Sequence, residues 1–309
     1  MGRELVGGQA LVEGVMVRRG SVWAAATRRA DGTIATTRQE AELALRTTRS
    51  IPFARGVGAL IDSLRIGMAA MSWSRAQGSE GSEQTAPSQA RERAIVGLVV
   101  TSVLAAFVLV PLGVAVAASG LVGSGIGAAL VEGLVRLVLF VAYLAMLSRL
   151  PGIRRTLEYH GAEHMVIAAF EHGSGPRHEQ VAGPTVVDAR ANSVRHPRCG
   201  TDFFLLIFVI SIVAFALVGR LPAVWLVGSR IALAPVVVGV AYEVLRAGGT
   251  STRPGLSRAL SAPGLWLQRF TTAEPTDDQI EVAIAALAAL DDSGSDPGHL
   301  LDSGDGRRR

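Results

Sequence analysis

The sequence predicts a polytopic α-helical membrane protein of about four transmembrane helices, with a small β-containing N-terminal region and a short C-terminal helix. Hydrophobic residues make up 49% of the 309 residues and charged residues only 18%, and the mean hydropathy is positive, at +0.37. The apolar residues are collected in long blocks, whereas most of the Arg residues lie outside the blocks and Lys is absent. Apolar blocks of this length are typical of membrane spans.

Four apolar blocks are each long enough to form a transmembrane helix, which needs about 20 residues. The blocks lie at residues 94–119, 121–148, 203–219 and 222–245. Short breaks near Ser119–Ser124 and Arg220–Pro222 separate the two members of each pair. We therefore expect two transmembrane hairpins, at 94–148 and 202–245.

The distribution of Arg predicts the orientation of these helices. Thirteen Arg residues precede the first block, seven lie in the central loop and seven follow the fourth block, whereas the two hairpin turns hold none and one. Because positive residues favour the cytoplasmic side, we expect both termini and the central loop in the cytoplasm, as in a multi-pass protein of the plasma membrane. The net charge of +4 is too small to predict binding of nucleic acid.

The segment before the first hairpin divides into three regions. Residues 1–50 contain the short apolar stretches VEGVMV, VWAAAT and TIATT and an Asp31-Gly32 turn, which predict a β-containing cytoplasmic region. Residues 51–74 mix apolar and charged side chains, which is typical of an interfacial helix, although a re-entrant segment also fits the pattern. Residues 75–93 are rich in Ser, Gly and Glu and predict a flexible linker.

Two further segments are predicted to be cytoplasmic. Residues 149–201 form the central loop, which carries a cluster of His, Glu and Cys residues. Residues 246–290 form a C-terminal segment, in which Thr276-x-x-Gln279 is typical of a capping box for an Ala-rich helix at 277–290. The remaining residues, 291–309, are mostly polar and predict a disordered tail.

The central loop contains a spacing typical of a metal site, YHGAEH at residues 159–164. The segment 157–170 is predicted to be helical, which places His160 and His164 one turn apart on the same face. Two imidazoles in this arrangement can hold one ion, and Glu163 beside them can act on a water, as in the H-x-x-E-H motif of inverzincin peptidases. The pattern predicts a divalent metal, with zinc as the expected ion. A solvated or hydrogen-bonded helix face is the alternative.

A third ligand must come from elsewhere in the chain. Glu171 lies on the same helical face, but it is seven residues past His164, or about 10 Å along the axis, so we expect it to orient another group. Glu243 ends the fourth block, and His196 and Cys199 precede the third. All three can ligate zinc, and we rank them in that order. Cys199 can also act as a nucleophile, if nearby cations stabilise its thiolate, or serve only in packing.

Charged residues inside the predicted spans need partners, because an isolated charge in a bilayer is costly. Glu132 and Arg136 are spaced i,i+4 in the second block and can form an ion pair. Arg230 in the fourth block can pair in a similar way or extend to the membrane surface. A polar conduit through the helices is the functional alternative.

Five motifs together carry a resemblance to a known family. They are, in order from Gly7 to Leu290, GGQALVEGVMVRRG, EYHGAEHMVIAAFEHG, HPRCGTDFFLLIFVIS, PVVVGVAYEVLR and PGLWLQRFTTAEPTDDQIEVAIAAL. They resemble the YqhQ-like family of bacterial membrane proteins, which is generally described as of unknown function and sometimes as predicted metal-dependent enzymes. The resemblance implies a bacterial cytoplasmic membrane and functional residues in the HGAEH, HPRCGT and YE motifs, namely His160, Glu163, His164, His196, Arg198, Cys199, Tyr242 and Glu243. Met165 departs from the family pattern, in which we expect Lys.

The resemblance also gives weight to the first motif, GGQALVEG. Its two glycines, Gly7 and Gly8, suit a tight turn or a close approach of the backbone to another group. Gln9, Glu13 and Arg18 can extend to the site from the N-terminal strands. The alternative is that the strand docks on the membrane domain and that Glu13 forms an ion pair.

These observations leave three functional hypotheses. The first is a metal-dependent hydrolase at the cytoplasmic membrane face, with Glu163 as general base and Arg198 or Arg155 stabilising an anionic intermediate. A peptide or a lipid-linked substrate suits that location. The second is a non-catalytic scaffold or transport component with a structural polar cluster. The third, a channel or carrier, would require a homo-oligomer, which the Gly-rich first hairpin permits.

Overall fold

The computed structural model describes residues 6–43, 50–79, 89–123, 125–173, 183–197, 199–218, 221–249 and 254–292. Within these residues the strands are β1 (Gly7–Leu11), β2 (Gly14–Arg19), β3 (Val22–Arg28) and β4 (Ile34–Glu40). The helices are α1 (Ala54–Ser79), α2 (Gln89–Val122), α3 (Ile126–Leu147), α4 (Pro151–Gly173), α5 (Val186–Arg190), α6 (Thr201–Val218), α7 (Ala223–Gly249), α8 (Pro254–Thr271) and α9 (Asp277–Asp291).

The N-terminal region is an antiparallel meander in the order β1-β2-β3-β4. The three apolar stretches of the sequence correspond to β2, β3 and β4, and the Asp31-Gly32 turn joins the last two, as predicted. Strand β1 pairs with β2, with Gly8 opposite Val17, and it was not predicted because GGQAL lacks the β-branched residues that indicate a strand.

The sheet is buried on both faces, because its side chains alternate between two clusters. Val15 and Val17 pack with α4 and α9 in one apolar cluster, whereas Met16 faces the opposite side. On that side Met16 packs with Ile66 and Ala70 of α1. A side chain of this kind contributes about 1.5–3 kcal/mol when it is fully buried. The sheet therefore forms the middle of three layers and fixes α4 against α9.

Helix α9 confirms the predicted C-terminal helix and its start. The backbone N–H of Thr276 donates to Gln279 Oε1 at 2.9 Å, and Asp277 and Asp278 lie in the first turn, where the helix dipole favours negative charge. Gln279 also donates from Nε2 to Glu158 Oε2 at 3.0 Å. The N-terminus of α9 is thereby attached to α4.

Three helical segments are long and apolar enough to cross a membrane, namely Gly97–Val122, Ile126–Leu147 and Val224–Ala247. They correspond to three of the four predicted spans. The fourth lies in α6, whose apolar part, Phe203–Val218, is shorter. Its 16 residues extend about 24 Å as a helix, less than the roughly 30 Å of a hydrocarbon core.

Helix α1 covers the predicted interfacial segment but extends beyond it. It runs to Ser79, and α2 already begins at Gln89, so both ends of the predicted linker are helical. The rest of that linker, 80–88, lies outside the described residues, as do residues 293–309 of the predicted tail. Ile61, Leu64 and Met68 form an exposed apolar stripe on α1, as expected for an interfacial helix.

Two helices were not predicted. Helix α8 contains Pro263, which argues against a helix in sequence, and α5 is only five residues long. Helices α5 and α8 lead into the two chain segments that contact α4, as described next. The site therefore depends on elements that carry weak sequence signals.

Candidate metal centre

Helix α4 presents the YHGAEH motif as the sequence predicted. His160 and His164 lie one turn apart, with ring centroids separated by 4.4 Å. His164 is 3% exposed and Glu163 is 4% exposed, so that the motif faces the protein interior and not solvent. Of the alternative, a solvated or hydrogen-bonded helix face, the solvated form does not describe Glu163 and His164, whereas both histidines are hydrogen-bonded.

Backbone carbonyls fix the orientation of both imidazoles. His160 Nδ1 lies 2.7 Å from the Thr271 carbonyl oxygen at the end of α8, and His164 Nδ1 lies 2.7 Å from the Val194 carbonyl oxygen. A carbonyl only accepts, so Nδ1 carries the proton in each ring and Nε2 keeps its lone pair. Hydrogen bonds of this type set the tautomer of metal-binding histidines.

Cys199, just before α6, completes a group of three potential ligands. Its Sγ lies 3.5 Å from His160 Nε2, and the ligand atoms of His160, His164 and Cys199 all lie within 4.8 Å of one another. Ligands of tetrahedral zinc stand roughly 3.3–3.7 Å apart, given usual zinc–nitrogen and zinc–sulfur lengths. One distance already fits, and small movements would bring in the third side chain.

The Glu163 carboxyl lies beside this group, with Oε2 3.8 Å from His160 Nε2 and 3.7 Å from His164 Nε2. Burial raises the pKa of Glu163 to about 8, against the lowering influence of His160. Burial also lowers the pKa of His164 to about 3. At neutral pH the metal-free site therefore holds a protonated carboxyl and a neutral His164, and the latter is the form that binds a metal.

Two glycines let the chain approach this site closely. A Cβ at Gly8 of β1 would stand 2.7 Å from the Glu163 carboxyl carbon. A Cβ at Gly161, inside the motif, would collide with the carbonyl oxygen of Ala273. The sequence signalled the first contact through its Gly7-Gly8 pair, whereas nothing in the sequence indicated the second.

His196 lies near the group but is not part of it. Its Nε2 pairs with Glu171 Oε2 at 3.3 Å, and its ring centroid is 5.8 Å from that of His164. Its backbone is held by Gln268, which accepts from the His196 N–H and donates to its carbonyl oxygen, each at 2.9 Å. The expectation that Glu171 orients another group agrees with this pair.

The ranking of the third ligand was wrong, because the structure places Glu243 elsewhere. Its carboxylate accepts from Phe53 N at 3.0 Å and from Arg55 Nε at 2.7 Å. The close packing of α7 on the start of α1 explains this, since a Cβ at Gly239 would touch the Phe53 carbonyl. Glu243 therefore binds the N-terminus of α1, and Cys199, ranked third, is the residue that joins the histidines.

Two arginines, Arg198 and Arg155, were considered for stabilising an anionic intermediate. Arg198 lies outside the described residues. Arg155 pairs with Glu13, with Nη2 2.6 Å from Oε2, and Glu13 also accepts from the Tyr159 hydroxyl at 3.3 Å. Glu13 thus forms the ion pair that was the structural alternative for the N-terminal motif.

The charged residues of the apolar helices form a second cluster, in which Arg230 joins the predicted pair of Glu132 and Arg136. Arg136 Nη2 lies 2.7 Å from Glu132 Oε1, and Arg230 Nη2 lies 2.5 Å from Glu132 Oε2. Both guanidinium groups stack on the Phe215 ring, at 5.2 and 4.5 Å from its centroid. We call Glu132, Arg136 and Arg230 the charged triad.

These features define a class of protein: an α-helical protein with helices apolar enough to cross a bilayer, joined to a four-stranded sheet and carrying a His, His, Cys and Glu group beside those helices. Residues 51–292 match the family model described as "Protein of unknown function (DUF1385)". The chain is also 34% identical to "Uncharacterized protein YqhQ" of Bacillus subtilis (strain 168) over 315 aligned positions, 95% of this chain and 96% of that protein. The chain therefore belongs to the YqhQ-like family. No solved structure matches it.

Proposed function

We propose that this chain is a membrane-embedded, metal-dependent hydrolase. The observation that carries the proposal is the convergence of three ligand atoms, from His160, His164 and Cys199, within 4.8 Å of one another, beside the buried carboxyl of Glu163. Three protein ligands with one open position are typical of catalytic zinc sites, and structural sites usually have four.

The donor set supports zinc as the ion. Imidazole nitrogen and thiolate sulfur are ligands that zinc prefers over the harder magnesium and calcium. The Nδ1 bonds of His160 and His164 to backbone carbonyls leave both Nε2 lone pairs available. Binding would also take the proton from the Cys199 thiol, because the thiolate is the ligand.

Glu163 would serve as the general base. A bound zinc ion would supply Lewis acidity. Its positive charge would also lower the raised pKa of the neighbouring Glu163 and so favour the carboxylate form. Glu163 would then accept a proton from the attacking water and return it to the leaving group. The close contact between the Gly8 backbone and Glu163 would keep bulk water from competing for that proton.

The proposed substrate follows from the place of the site. We propose four membrane spans with both termini and the central loop in the cytoplasm, on the basis of the Arg distribution. His160 and His164 then lie at the cytoplasmic face, on the side of the end of α3 and the start of α6. A peptide or a lipid-linked molecule that reaches this surface is the expected substrate class.

The experiment compares Glu163→Gln with Glu158→Gln, which changes a carboxylate on the same helix outside the group. Purified variants are assayed for zinc and for hydrolysis of a panel of peptide and lipid-linked esters, amides and phosphates. Glu163→Gln should keep the metal and lose hydrolysis by about 100-fold or more, and Glu158→Gln should keep both. Full hydrolysis by zinc-loaded Glu163→Gln would refute the role of Glu163.

A non-catalytic scaffold is the second candidate, and one observation favours it. The Nδ1 bonds of the two histidines tie α4 to the ends of two other segments, at Val194 and Thr271. Under this hypothesis the histidines serve only to hold the fold together. Replacing His160 with Gln would then lower stability in zinc-free and zinc-loaded protein alike, whereas a metal site predicts a larger loss in the zinc-loaded protein.

A further inference from the structure

A cavity of about 510 Å³ lies between the apolar helices, next to the charged triad. This volume is within the range of small-molecule sites, roughly 300–1,000 Å³. Glu132 and Arg230 are among the residues that line it. The apolar part of its wall is formed by Leu112, Ala115, Val116, Ala129, Phe215 and Leu226.

The cavity is separate from the candidate metal centre. It lies at the start of α3, near Gly125 and Ala129, and at the end of α6, near Phe215. His160 and Cys199 instead lie beyond the end of α3 and before the start of α6. The 22 residues of α3 extend about 33 Å, so the two sites lie at opposite ends of the helices.

The charged triad carries one more positive than negative charge. Glu132, Arg136 and Arg230 are 2%, 8% and 8% exposed, and the apolar helical segments surrounding them hold no other carboxylate at this depth. Stacking on Phe215 offsets part of the excess charge, because an aromatic face attracts a guanidinium. An unbalanced buried charge is nevertheless costly in a bilayer, and an anion would balance it.

Arg230 has hydrogen-bond capacity to receive that anion. It uses Nε and Nη2 to bind the two oxygens of Glu132 and Nη1 to bind Ser229 Oγ at 3.0 Å. A guanidinium has five N–H groups, so two have no partner among the described residues. These groups belong to a side chain that lines the cavity.

We propose that this cavity binds an anionic amphiphile, a molecule with a phosphate or carboxylate head and an apolar tail. The head would bind Arg230, and the tail would occupy the apolar part of the wall. Gly120 and Leu221, next to the turns of the two helical hairpins, also line the cavity, so that this part of it lies close to one proposed membrane surface. The proposal does not depend on the metal centre.

The test uses full-length protein in phosphatidylcholine nanodiscs and isothermal titration, with empty nanodiscs as the blank. Three probes separate head from tail: dodecyl phosphate, dodecanol and inorganic phosphate. Dodecyl phosphate should bind saturably at about one per chain. Dodecanol and inorganic phosphate should bind at least about tenfold more weakly, since each lacks half of the recognised chemistry.

Two variants test the cavity itself. Arg230→Gln leaves one carboxylate with one guanidinium, so its charges are balanced, and it should weaken dodecyl phosphate binding by at least about tenfold. Ala115→Leu fills the cavity without changing charge and should weaken binding as well. Arg246→Gln removes the same charge near the other end of α7 and should leave binding unchanged.

Each of the following results would overturn the proposal. One is no saturable binding of dodecyl phosphate above empty nanodiscs. Another is equal binding of dodecanol or of inorganic phosphate, which would indicate a purely apolar groove or a simple anion site. The last is an equal loss of binding in Arg230→Gln and Arg246→Gln, or unchanged binding in a folded Ala115→Leu.

Discussion

Gly8 of β1 lies directly against the side chain of Glu163 on α4, so that a Cβ at position 8 would stand 2.7 Å from the carboxyl carbon. The N-terminal strand therefore forms a wall of the candidate metal centre. This contact explains why Glu163 is only 4% exposed although it lies next to a half-buried His160. It also links the N-terminal GGQALVEG motif to the YHGAEH motif.

Gly8→Ala should disturb the site without unfolding the chain. The added methyl must displace either the Glu163 carboxyl or the strand, and such overpacking typically costs about 1–3 kcal/mol. We expect a lower thermal midpoint and a weaker zinc affinity, measured by unfolding and by competition with a chromogenic chelator. Gly7→Ala is the control, because a Cβ at Gly7 meets nothing within 4 Å. Equal behaviour of the two variants would show that the Gly8 contact is unimportant.

The stability of the metal-free protein should depend on pH through Glu163. Its pKa is raised from 4.5 to about 8, so the unfolded state loses this proton first as pH rises, and the folded state loses stability across that window. His164 acts in the opposite sense: its pKa falls from 6.5 to about 3, and stability is lost as pH falls through that range. Of these two groups, only Glu163 still makes the stability depend on pH above pH 6.5.

Glu163→Gln should therefore flatten the decline in stability between pH 6.5 and 8. The measurement is the unfolding midpoint in the presence of a chelator, at several pH values in this interval. Glu158→Gln, on the same helix, should keep the decline of the wild type. A slope that is the same in Glu163→Gln and the wild type would contradict the assigned burial effect.

The elements that sequence predicted well are those whose signal is local. Short apolar stretches and the Asp31-Gly32 turn identified β2, β3 and β4, and the Thr276-x-x-Gln279 spacing gave the start of α9 within a residue. The apolar blocks gave the helices of both hairpins. The N-terminal strand β1 and helix α8 were not predicted, because packing sets their conformation and overrides the propensity of Gly and Pro.

The sequence predicted only those residues of the candidate metal centre that lie on a single helix, α4. The i,i+4 spacing gave His160, Glu163 and His164, because helix geometry fixes their relative positions. The choice of the third ligand depended on how separate segments pack, and the sequence ranked Glu243 above Cys199 although both were acceptable by chemistry and by topology. The carbonyls of Val194 and Thr271 left no signal, since any residue supplies a backbone oxygen.

Glu243→Gln tests the corrected position of this residue. The substitution weakens the bonds to Arg55 and to the Phe53 N–H, which lie at the N-terminus of α1, where a negative charge is favourable. We expect faster amide exchange in the first turn of α1 and an unchanged zinc content. Arg55→Gln should produce the same exchange pattern. Loss of zinc in Glu243→Gln would restore this residue as a ligand.

Glu132→Gln should be the most damaging single change in the charged triad. It leaves Arg136 and Arg230 without their shared carboxylate, and removing one partner of a buried pair typically costs about 3–5 kcal/mol. Arg230→Gln should cost less, because Glu132 keeps Arg136 as its partner. Thermal unfolding in detergent compares the two. A Glu132→Gln variant at least as stable as Arg230→Gln would contradict the charge balance described above.

The most direct test of the central claim is the zinc content of the purified protein. Wild type and the variants His164→Ala and His172→Ala are loaded with zinc and dialysed against metal-free buffer. Their zinc content is then measured by elemental mass spectrometry. His172 is the control, because it lies on α4 but is exposed and bonds to Asn192 at 2.9 Å. The proposal predicts about one zinc per chain in wild type and His172→Ala, and almost none in His164→Ala. Absence of zinc from the wild type, or equal zinc in all three proteins, would contradict it.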